Sequence, residues 1–295
     1  MDIKVLQVLD DISQTQSVSA TARRLGLSQS ALSHSMKKME KQWGIPLWKR
    51  QANGVALTTE AQQLLPTIRS ILKKHKELNK ELDAISGLEK GQITIGTYSS
   101  IAMHWLPSII SQFQEKYPGI DIRIQEGTVD EIVHWIQAGM VDFGFMSKVP
   151  EYKHEFIPLS QEPLYAVLYE QFPLKKDWKG TFPIEAFVNY PYIAGELGMD
   201  YDVSRAFQKA NIIPPVRFTC REDQTIIAMV KNGLGISLLP SLMLKEVQGI
   251  QKMPLKKPVE RTLGIGCLKE KECSLAARTF IQFATDRIKK GESNM

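Results

Sequence analysis

The stretch from Ser17 to Arg50, SVSATARRLGLSQSALSHSMKKMEKQWGIPLWKR, predicts two short amphipathic helices followed by a basic segment. Ser19 is the expected cap of the first helix, and Gly26 suits the sharp turn that follows it. Ser28 is the expected cap of the second helix. The apolar stripe of that second helix is predicted at Ala31, Leu32, Met36 and Met39. This pattern is typical of a helix-turn-helix.

The other side of the second helix carries short polar and basic side chains. Near a helix N-terminus such side chains can hydrogen-bond to base edges in a DNA major groove, and basic ones further along can meet phosphates. The candidates on this helix are Gln29, Ser30, Ser33, His34, Lys37 and Lys38. An ordinary amphipathic helix with a solvated face would show the same pattern, so the rest of the chain has to distinguish the two.

The positive charge of the chain lies in its N-terminal third. The 295 residues have a formal net charge of +5, and residues 1–90 contain 14 Lys and Arg against 9 Asp and Glu. The remaining 205 residues contain 23 of each. The excess therefore lies where a phosphate-binding module would need it.

A β-hairpin is predicted directly after the helix pair. The segment from Ile45 to Thr58 places apolar residues on both sides of an Asn53-Gly54 pair, which is a strong hairpin signal. We interpret this hairpin as a wing. Lys49 and Arg50 on its first strand are candidates to contact phosphates beside the groove, although exposed basic residues are often only solvated.

A long helix is predicted from Thr58 or Thr59 onward. Its apolar residues follow in spacings of three and four, which gives a narrow seam that is typical of a coiled-coil partner. We expect dimerisation through Leu64, Ile68, Ile71, Leu78, Leu82 and Ile85. His75 also lies on the seam and is interpreted as a packing residue, and Pro66 should bend or loosen the helix.

Beyond Gly91 the chain alternates between predicted strands and helices, which indicates α/β architecture with a parallel sheet. The first region is predicted as strand Ile93–Tyr98, helix Ser99–Tyr117, strand Ile120–Gly127, helix Val129–Ala138 and strand Val141–Met146. The second has strands beginning at Leu164, Tyr192, Val216, Gly235 and Leu263, and helices Tyr201–Ala210, Asp223–Asn232 and Ser274–Lys289. Two α/β lobes with a cleft between them are the simplest assembly.

Hydroxyl side chains follow the first three strands of this region. Ligands of parallel α/β sheets lie beyond the carboxyl ends of the strands, where helix N-termini offer unpaired N–H groups to an anion. The candidates are Thr97, Ser99, Ser100, Thr128 and Ser147. They could equally be ordinary helix caps. Arg221 or Lys148 could supply charge to a carboxylate, but the hydroxyl character does not separate an organic acid, an amino acid derivative and an inorganic anion.

The complete order of these elements resembles the LysR-type transcriptional regulators. The resemblance runs over essentially the whole chain and rests on ATARRLGLSQSALSHSMKKME, WGIPLWKR, LTTEAQQLL and NGLGISLLP. The chain departs from the family pattern at Ser30, where Pro is usual, and at His34, where Arg, Lys or Gln is frequent. These departures leave the operator sequence open.

The resemblance implies a winged helix-turn-helix domain over residues 1–58, a linker and dimerisation helix over 59–90, and a two-lobed effector domain. The first lobe would comprise residues 91–162 and 267–295, and the second lobe 163–266. The resemblance implies a small-molecule effector between the lobes, with Gly198, Met199 and Gln224 as candidates from the second lobe. It also implies operator DNA as a partner, dimers that pair as tetramers, and an effect on RNA polymerase, either activating or repressing.

Several other classes are disfavoured by composition. The hydrophobic share of 43% is ordinary for a globular chain, and no segment approaches the roughly 20 apolar residues that span a bilayer. No signal peptide is recognisable, so a cytoplasmic, nucleoid-associated protein is expected rather than a periplasmic solute-binding protein. The five histidines show neither a paired nucleophile nor a metal spacing, so neither an enzyme nor a cofactor is expected. An architectural DNA binder would leave the cleft unexplained, and a redox role of Cys267 and Cys273 stays open.

Overall fold

The computed structural model describes residues 2–51, 54–86, 91–196, 201–270 and 273–291. The chain divides into two units, Met1–Leu82 and Asp83–Met295, and each is described by itself. No helix within the described residues is long and apolar enough to cross a membrane.

The N-terminal unit is built from helices and one hairpin. Its elements are α1 (Ile3–Thr15), α2 (Val18–Arg24), α3 (Gln29–Trp43), β1 (Trp48–Gln51), β2 (Gly54–Leu57) and the first part of α4 (Thr59–Ser86). One apolar core joins them and includes Leu6, Leu9, Leu32, Met36, Leu47 and Ile68. The predicted helix-turn-helix and wing are therefore present in the order that the sequence indicates.

The helix ends differ from the prediction at one cap. Ser17, not Ser19, caps α2, because its Oγ accepts a hydrogen bond from the amide of Ala20. Ser28 caps α3 as predicted, with Oγ 3.1 Å from the amide nitrogen of Ala31. Ala31 itself is exposed, so the apolar stripe of α3 consists of Leu32, Met36 and Met39.

The wing is attached to the end of α1 through backbone. Gln16 has a left-handed conformation, and its carbonyl oxygen accepts a hydrogen bond from the amide of Val55 at 2.9 Å. Gly54 precedes Val55 with φ +143°, and a Cβ placed there would lie 2.3 Å from the same carbonyl oxygen. The close approach of α1 and β2 therefore requires glycine at position 54.

The seam of α4 divides into two parts. Thr58 caps the helix, and α4 continues past Pro66. Ile68 is buried in the core of the N-terminal unit, and Leu64 and Ile71 pack against that core. Leu78 is 52% exposed. The side chains of Leu82 and Ile85 lie outside the described residues, so among the described seam residues Leu78 is the one most open to a partner helix.

The C-terminal unit is α/β. Its helices are α5 (Ser99–His104), α6 (Leu106–Lys116), α7 (Val129–Ala138), α8 (Tyr201–Ala210), α9 (Asp223–Lys231) and α10 (Leu275–Lys289). Its strands are β3 (Gly91–Thr97), β4 (Ile120–Glu126), β5 (Phe143–Ser147), β6 (Glu155–Tyr169), β7 (Tyr192–Gly195), β8 (Val216–Cys220), β9 (Ser237–Pro240), β10 (Ile250–Pro254) and β11 (Glu260–Cys267).

The main sheet has seven strands and is mixed rather than parallel. Its order is β10-β6-β11-β5-β3-β4, and β9 also pairs with β6. The pairs β3-β4 and β3-β5 are parallel, as predicted, whereas β11 pairs antiparallel with both β5 and β6. β6 begins at Glu155, well before the predicted Leu164. The prediction missed the first part of the strand because Pro158 and Pro163 interrupt the apolar pattern, although the strand continues through both.

Two principal apolar cores lie in the C-terminal unit, with smaller clusters beside them. The Phe113 core contains residues of β3, α6 and β5 together with the closing helix α10. The Phe182 core contains residues of β6, α8 and β10. The long strands β6 and β11 contribute to the Phe113 core at one end, and β6 reaches the Phe182 core at the other. The two cores thus share a continuous backbone frame.

We expect Gly54→Ala to destabilise the N-terminal unit more than Gly26→Ala does. Both glycines have positive φ, but a Cβ at Gly26 meets nothing within 4 Å, whereas at Gly54 it meets the Gln16 carbonyl. Gly26→Ala should cost about 1–2 kcal/mol of conformational strain. Gly54→Ala should cost more, because its Cβ would collide with the Gln16 carbonyl oxygen and disrupt the hydrogen bond that this oxygen accepts from the amide of Val55. Urea denaturation monitored by circular dichroism measures the difference, and equal costs would contradict the proposed attachment of the wing.

Candidate DNA-binding surface and ligand site

The exposed side of α3 presents the residues that the sequence selects. Gln29, Ser30, His34, Lys37 and Lys38 are exposed and Ser33 is partly exposed. Burial of Leu32, Met36 and Met39 on the opposite side fixes this orientation. The polar face of α3 is therefore available to a ligand.

The first turn of α3 is organised by hydroxyl groups. Gln29 Nε2 donates to Ser19 Oγ of α2 at 2.9 Å, and the hydroxyls of Ser28 and Ser30 are 3.0 Å apart. Gln29 thus links the two helices. Ser19 has this role instead of the capping role that the sequence suggested.

The helix pair and wing combine many basic groups with a single carboxylate. Between Asp11 and Glu60 the sequence contains seven Lys and Arg and one acid, Glu40. Glu40 Oε1 accepts a hydrogen bond from the amide of Leu47 at 2.8 Å, which fixes the start of the wing to α3. Lys49 and Arg50 are exposed on β1. The resulting positive surface suits a polyanion.

In the C-terminal unit, the carboxyl ends of β3, β4 and β5 lie side by side. Thr97 at the end of β3 pairs with Glu126 of β4 and with Phe145 of β5. The amide of Gly127 donates to the carbonyl of Thr97 at 3.1 Å. The three loops that the sequence selects therefore do start at one edge of the sheet.

The selected hydroxyl residues have different surroundings at this edge. Thr97, Ser100 and Ser147 are buried, and Ser99 and Thr128 are partly exposed. Thr128 forms a capping box with Glu131 at the start of α7, so its hydroxyl has the structural role of a helix cap. Gln224 is exposed in the first turn of α9. Gly198 and Met199 lie outside the described residues.

A buried polar cluster lies at the end of β5. The Arg261 cluster consists of Tyr98, Ser147, Glu162, Asp202 and Arg261. Ser147 Oγ donates to Asp202 Oδ2 at 2.5 Å, and the amide of Ser147 donates to the Tyr98 hydroxyl at 3.3 Å. Arg261 Nε donates to Glu162 Oε2 at 2.7 Å, and its Nη1 lies 3.8 Å from Asp202 Oδ2.

Burial and charge shift the titration of this cluster. Burial, reinforced by the Asp202 carboxylate, raises the pKa of Tyr98 to about 12. Burial also raises the pKa of Asp202 above its usual range, although Arg261 and Ser147 act in the opposite direction. The carboxylates of Glu162 and Asp202 raise the pKa of Arg261 in spite of its burial. The guanidinium is thus charged and the tyrosine neutral.

Sequence reasoning missed four of the five members of this cluster. It named Lys148 and Arg221 as sources of charge, but both are exposed, and the buried guanidinium is that of Arg261. Arg261 lies two residues before the apolar run that marked its strand, and Glu162 lies two residues before Leu164. A charged residue directly next to a predicted buried strand was the available signal.

Histidine, cysteine and carboxylate side chains are the candidates for metal or redox chemistry in the described part of the chain. There, no group of three or more His, Cys, Asp and Glu side chains could hold a metal ion. None of the three cysteines, Cys220, Cys267 and Cys273, forms a disulfide within the described residues. A hydrogen bond with Cys273, together with burial, raises the pKa of Cys267, which disfavours the reactive thiolate.

Comparison with known families covers nearly the entire chain. The family model for the bacterial regulatory helix-turn-helix protein of the lysR family matches residues 3–62. The model for the LysR substrate binding domain matches residues 86–289.

Individual relatives agree with these matches. The uncharacterized HTH-type transcriptional regulator YvbU of Bacillus subtilis is 29% identical over 97% of this chain and 98% of its own length. The fold is similar to that of full-length CbnR complexed with its target DNA, with TM-score 0.52, 20% identity and coverage of 97% and 100%. It is also similar to the effector binding domain of QuiR in complex with shikimate, with TM-score 0.60, 23% identity and coverage of 68% and 98%.

We expect Lys37→Ala to weaken binding to duplex DNA of mixed sequence and to reduce its salt dependence. The loss of one phosphate contact should reduce the slope of log affinity against log salt concentration by about one. Fluorescence anisotropy titrations at several salt concentrations measure both quantities. Lys257→Ala, which removes an exposed lysine of the C-terminal unit, is the matched control. An unchanged slope for Lys37→Ala would exclude α3 as a phosphate-binding helix.

We expect Glu162→Ala to destabilise the C-terminal unit by about 3–5 kcal/mol, because it leaves the buried Arg261 guanidinium without its closest carboxylate. The double variant Glu162→Met with Arg261→Met should recover most of this loss. Asp121→Ala is the control, since it breaks an exposed pair with Arg123 that should contribute at most about 1 kcal/mol. Urea denaturation compares the variants, and a Glu162→Ala cost no larger than the control's would refute the role of the pair.

Proposed function

The chain belongs to the LysR family of DNA-binding transcriptional regulators, and we propose that it reads its operator with α3 and the wing while its C-terminal unit senses a small carboxylate-containing molecule. The family consists of transcriptional regulators, not enzymes, and its substrate binding domain binds small-molecule effectors. The single observation that carries the DNA-reading part is the exposed, acid-free face of α3.

The proposed DNA contacts divide into two kinds. Gln29, Ser30, Ser33 and His34 occupy the first turns of α3, where short polar side chains reach base edges in a major groove. Lys37 and Lys38 further along α3, with Lys49 and Arg50 on the wing, bind phosphates. Base specificity would thus depend on the hydroxyl, amide and imidazole groups, and affinity on the cations.

The proposed effector site lies at the carboxyl ends of β3, β4 and β5. Ser99 is partly exposed beside the buried Thr97 and Ser100. Ser147 is fully buried and forms the base of this region together with Tyr98. Gly198, Met199 and Gln224 are proposed to approach from the second lobe, which would comprise residues 163–266, with 91–162 and 267–295 forming the first.

Self-association is proposed to occur through α4. Leu78 is exposed on a seam whose earlier residues are already covered by the core of the N-terminal unit. A coiled-coil dimer would bury it together with Leu82 and Ile85. Pairs of such dimers would hold two operator regions, and effector binding would change their bending and the recruitment of RNA polymerase.

We expect duplexes selected from a random library by the full-length protein to share a motif whose two half-sites have related sequences. Two-fold protein symmetry is repeated in the DNA that a dimer binds. Footprints on the selected duplex test whether effector binding is coupled to DNA binding. They are compared with and without small carboxylates that raise the melting temperature of the protein.

His34→Ala should change the preferred base at one position of the half-site, whereas Lys37→Ala should weaken the binding of all sequences about equally. Selection that yields no common motif would contradict the proposal.

A further inference from the structure

We propose that the Asp202 side chain is an internal occupant of a carboxylate site formed by Ser147 and Arg261, and that the effector acts by replacing it with its own carboxylate. This inference rests on the proposed function of the C-terminal unit as an effector sensor.

Asp202 and its partners belong to different parts of the unit. Asp202 lies in the first turn of α8, whose residues Val203 and Phe207 are in the Phe182 core. Ser147 ends β5, whose residues Phe143 and Phe145 are in the Phe113 core. The Asp202 carboxylate therefore bridges the two halves at the strand edge where ligands of such sheets bind.

Part of the hydrogen-bonding capacity of the Arg261 guanidinium is unused in this site. The hydroxyl proton of Ser147 is already given to Asp202 Oδ2, but Arg261 Nη1 stays 3.8 Å from that oxygen, beyond hydrogen-bonding distance. Arg261 Nη2 is buried and has no hydrogen-bond partner among the described residues, and the side chain is only 9% exposed. A buried guanidinium N–H without an acceptor is costly and calls for a ligand.

A free carboxylate can satisfy this site better than Asp202 can. The Asp202 side chain is short and fixed to α8, so it cannot move onto the fork of the guanidinium. An unattached planar carboxylate can bind the fork with both oxygens, which is the geometry that Arg favours. The geometry therefore favours a carboxylate over a tetrahedral anion.

Exchange of one carboxylate for another keeps the charge of the cluster constant. Glu162 stays paired with Arg261 at 2.7 Å, so the site takes one further negative group in either state. The displaced Asp202 regains the hydration that it lacks here, and its raised pKa agrees with this desolvation. The cost of expelling it is thereby reduced.

Displacement would free the first turn of α8 from its buried polar contact with the other half. Besides Asp202, this turn contributes Tyr201, whose hydroxyl donates to Glu151 at 2.6 Å. Glu151 is exposed, so that hydrogen bond is weak, and the Tyr201 side chain also packs against the apolar cluster that contains Trp135 and Val149. A carboxylate ligand would thus interact differently with the docked and the released positions of α8, which a ligand-driven switch requires.

The test uses the full-length Asp202→Ala variant, which removes the internal carboxylate, with sodium formate and acetate as probes. Thermal melting in these salts is compared with sodium chloride at equal ionic strength. We expect both carboxylates to raise the melting temperature of Asp202→Ala, at concentrations about tenfold below any that affect the wild-type protein.

Two variants serve as matched controls. Asp202→Asn keeps the site filled with a side chain of the same shape and should not respond to formate. Glu151→Ala removes the hydrogen bond of Tyr201 without emptying the site, and it should not respond either. If Asp202→Ala does not fold, Asp202→Ser provides the same empty carboxylate position with a small polar side chain.

Several outcomes would overturn the inference. They are a folded Asp202→Ala that melts independently of formate, an equal response to sulfate, and an equal response in Glu151→Ala. DNA binding of wild type and Asp202→Ala is measured in parallel by anisotropy. Loss of DNA binding in both would refute the proposed function, whereas intact DNA binding without a formate response would refute this inference alone.

Discussion

The buried ion pair between Arg261 and Glu162 organises the polar interior of the C-terminal unit. The two residues are direct register partners on the antiparallel strands β11 and β6. Glu162 also accepts hydrogen bonds from the amide of Leu242 and the hydroxyl of Ser241, at the turn that follows β9. One carboxylate thus joins two long strands to a turn, and because it is buried it requires the guanidinium beside it.

That pair determines what surrounds it. With Nε directed at Glu162, the rest of the Arg261 guanidinium remains for other groups, and it lies over the ring of Tyr98 at 5.6 Å from its centroid. Tyr98 in turn accepts a hydrogen bond from the amide of Ser147. Polar contacts thus connect Tyr98, Ser147 and Asp202 to Arg261, in addition to the apolar packing of their own elements.

The sequence predicts the helices and strands well because their signals are local. Ser28 and Thr58 are caps, and Leu32, Met36 and Met39 repeat at helical spacing, so a few neighbouring residues are sufficient. The resemblance to the LysR family and the polar face of α3 could also be predicted from local sequence. Prediction failed for Ser19, whose hydroxyl accepts a hydrogen bond from Gln29 of α3 while Ser17 caps α2, and for Ala31, which is exposed.

The Arg261 cluster could not be predicted from the sequence, for a different reason. Its members are separated by many residues, and charged side chains are ordinarily expected at the surface. Only the pairing of β6 with β11 brings Glu162 to Arg261, and only the docking of α8 brings Asp202 to Ser147. The mixed topology of the sheet was not predicted either. The first half of β6, which pairs antiparallel with β11, contains two prolines and was therefore not recognised as a strand.

An internal carboxylate also has a consequence for selectivity. An occupant tethered to the protein competes with every ligand, so the apparent affinity of any effector is its intrinsic affinity multiplied by the fraction of molecules in which the site is empty. A simple carboxylate must displace this tethered competitor, so an effective ligand needs further contacts. Ser99, partly exposed at the same strand edge, is suited to supply them. The acid group of the effector would then displace Asp202, and the rest of the effector would determine which molecule binds.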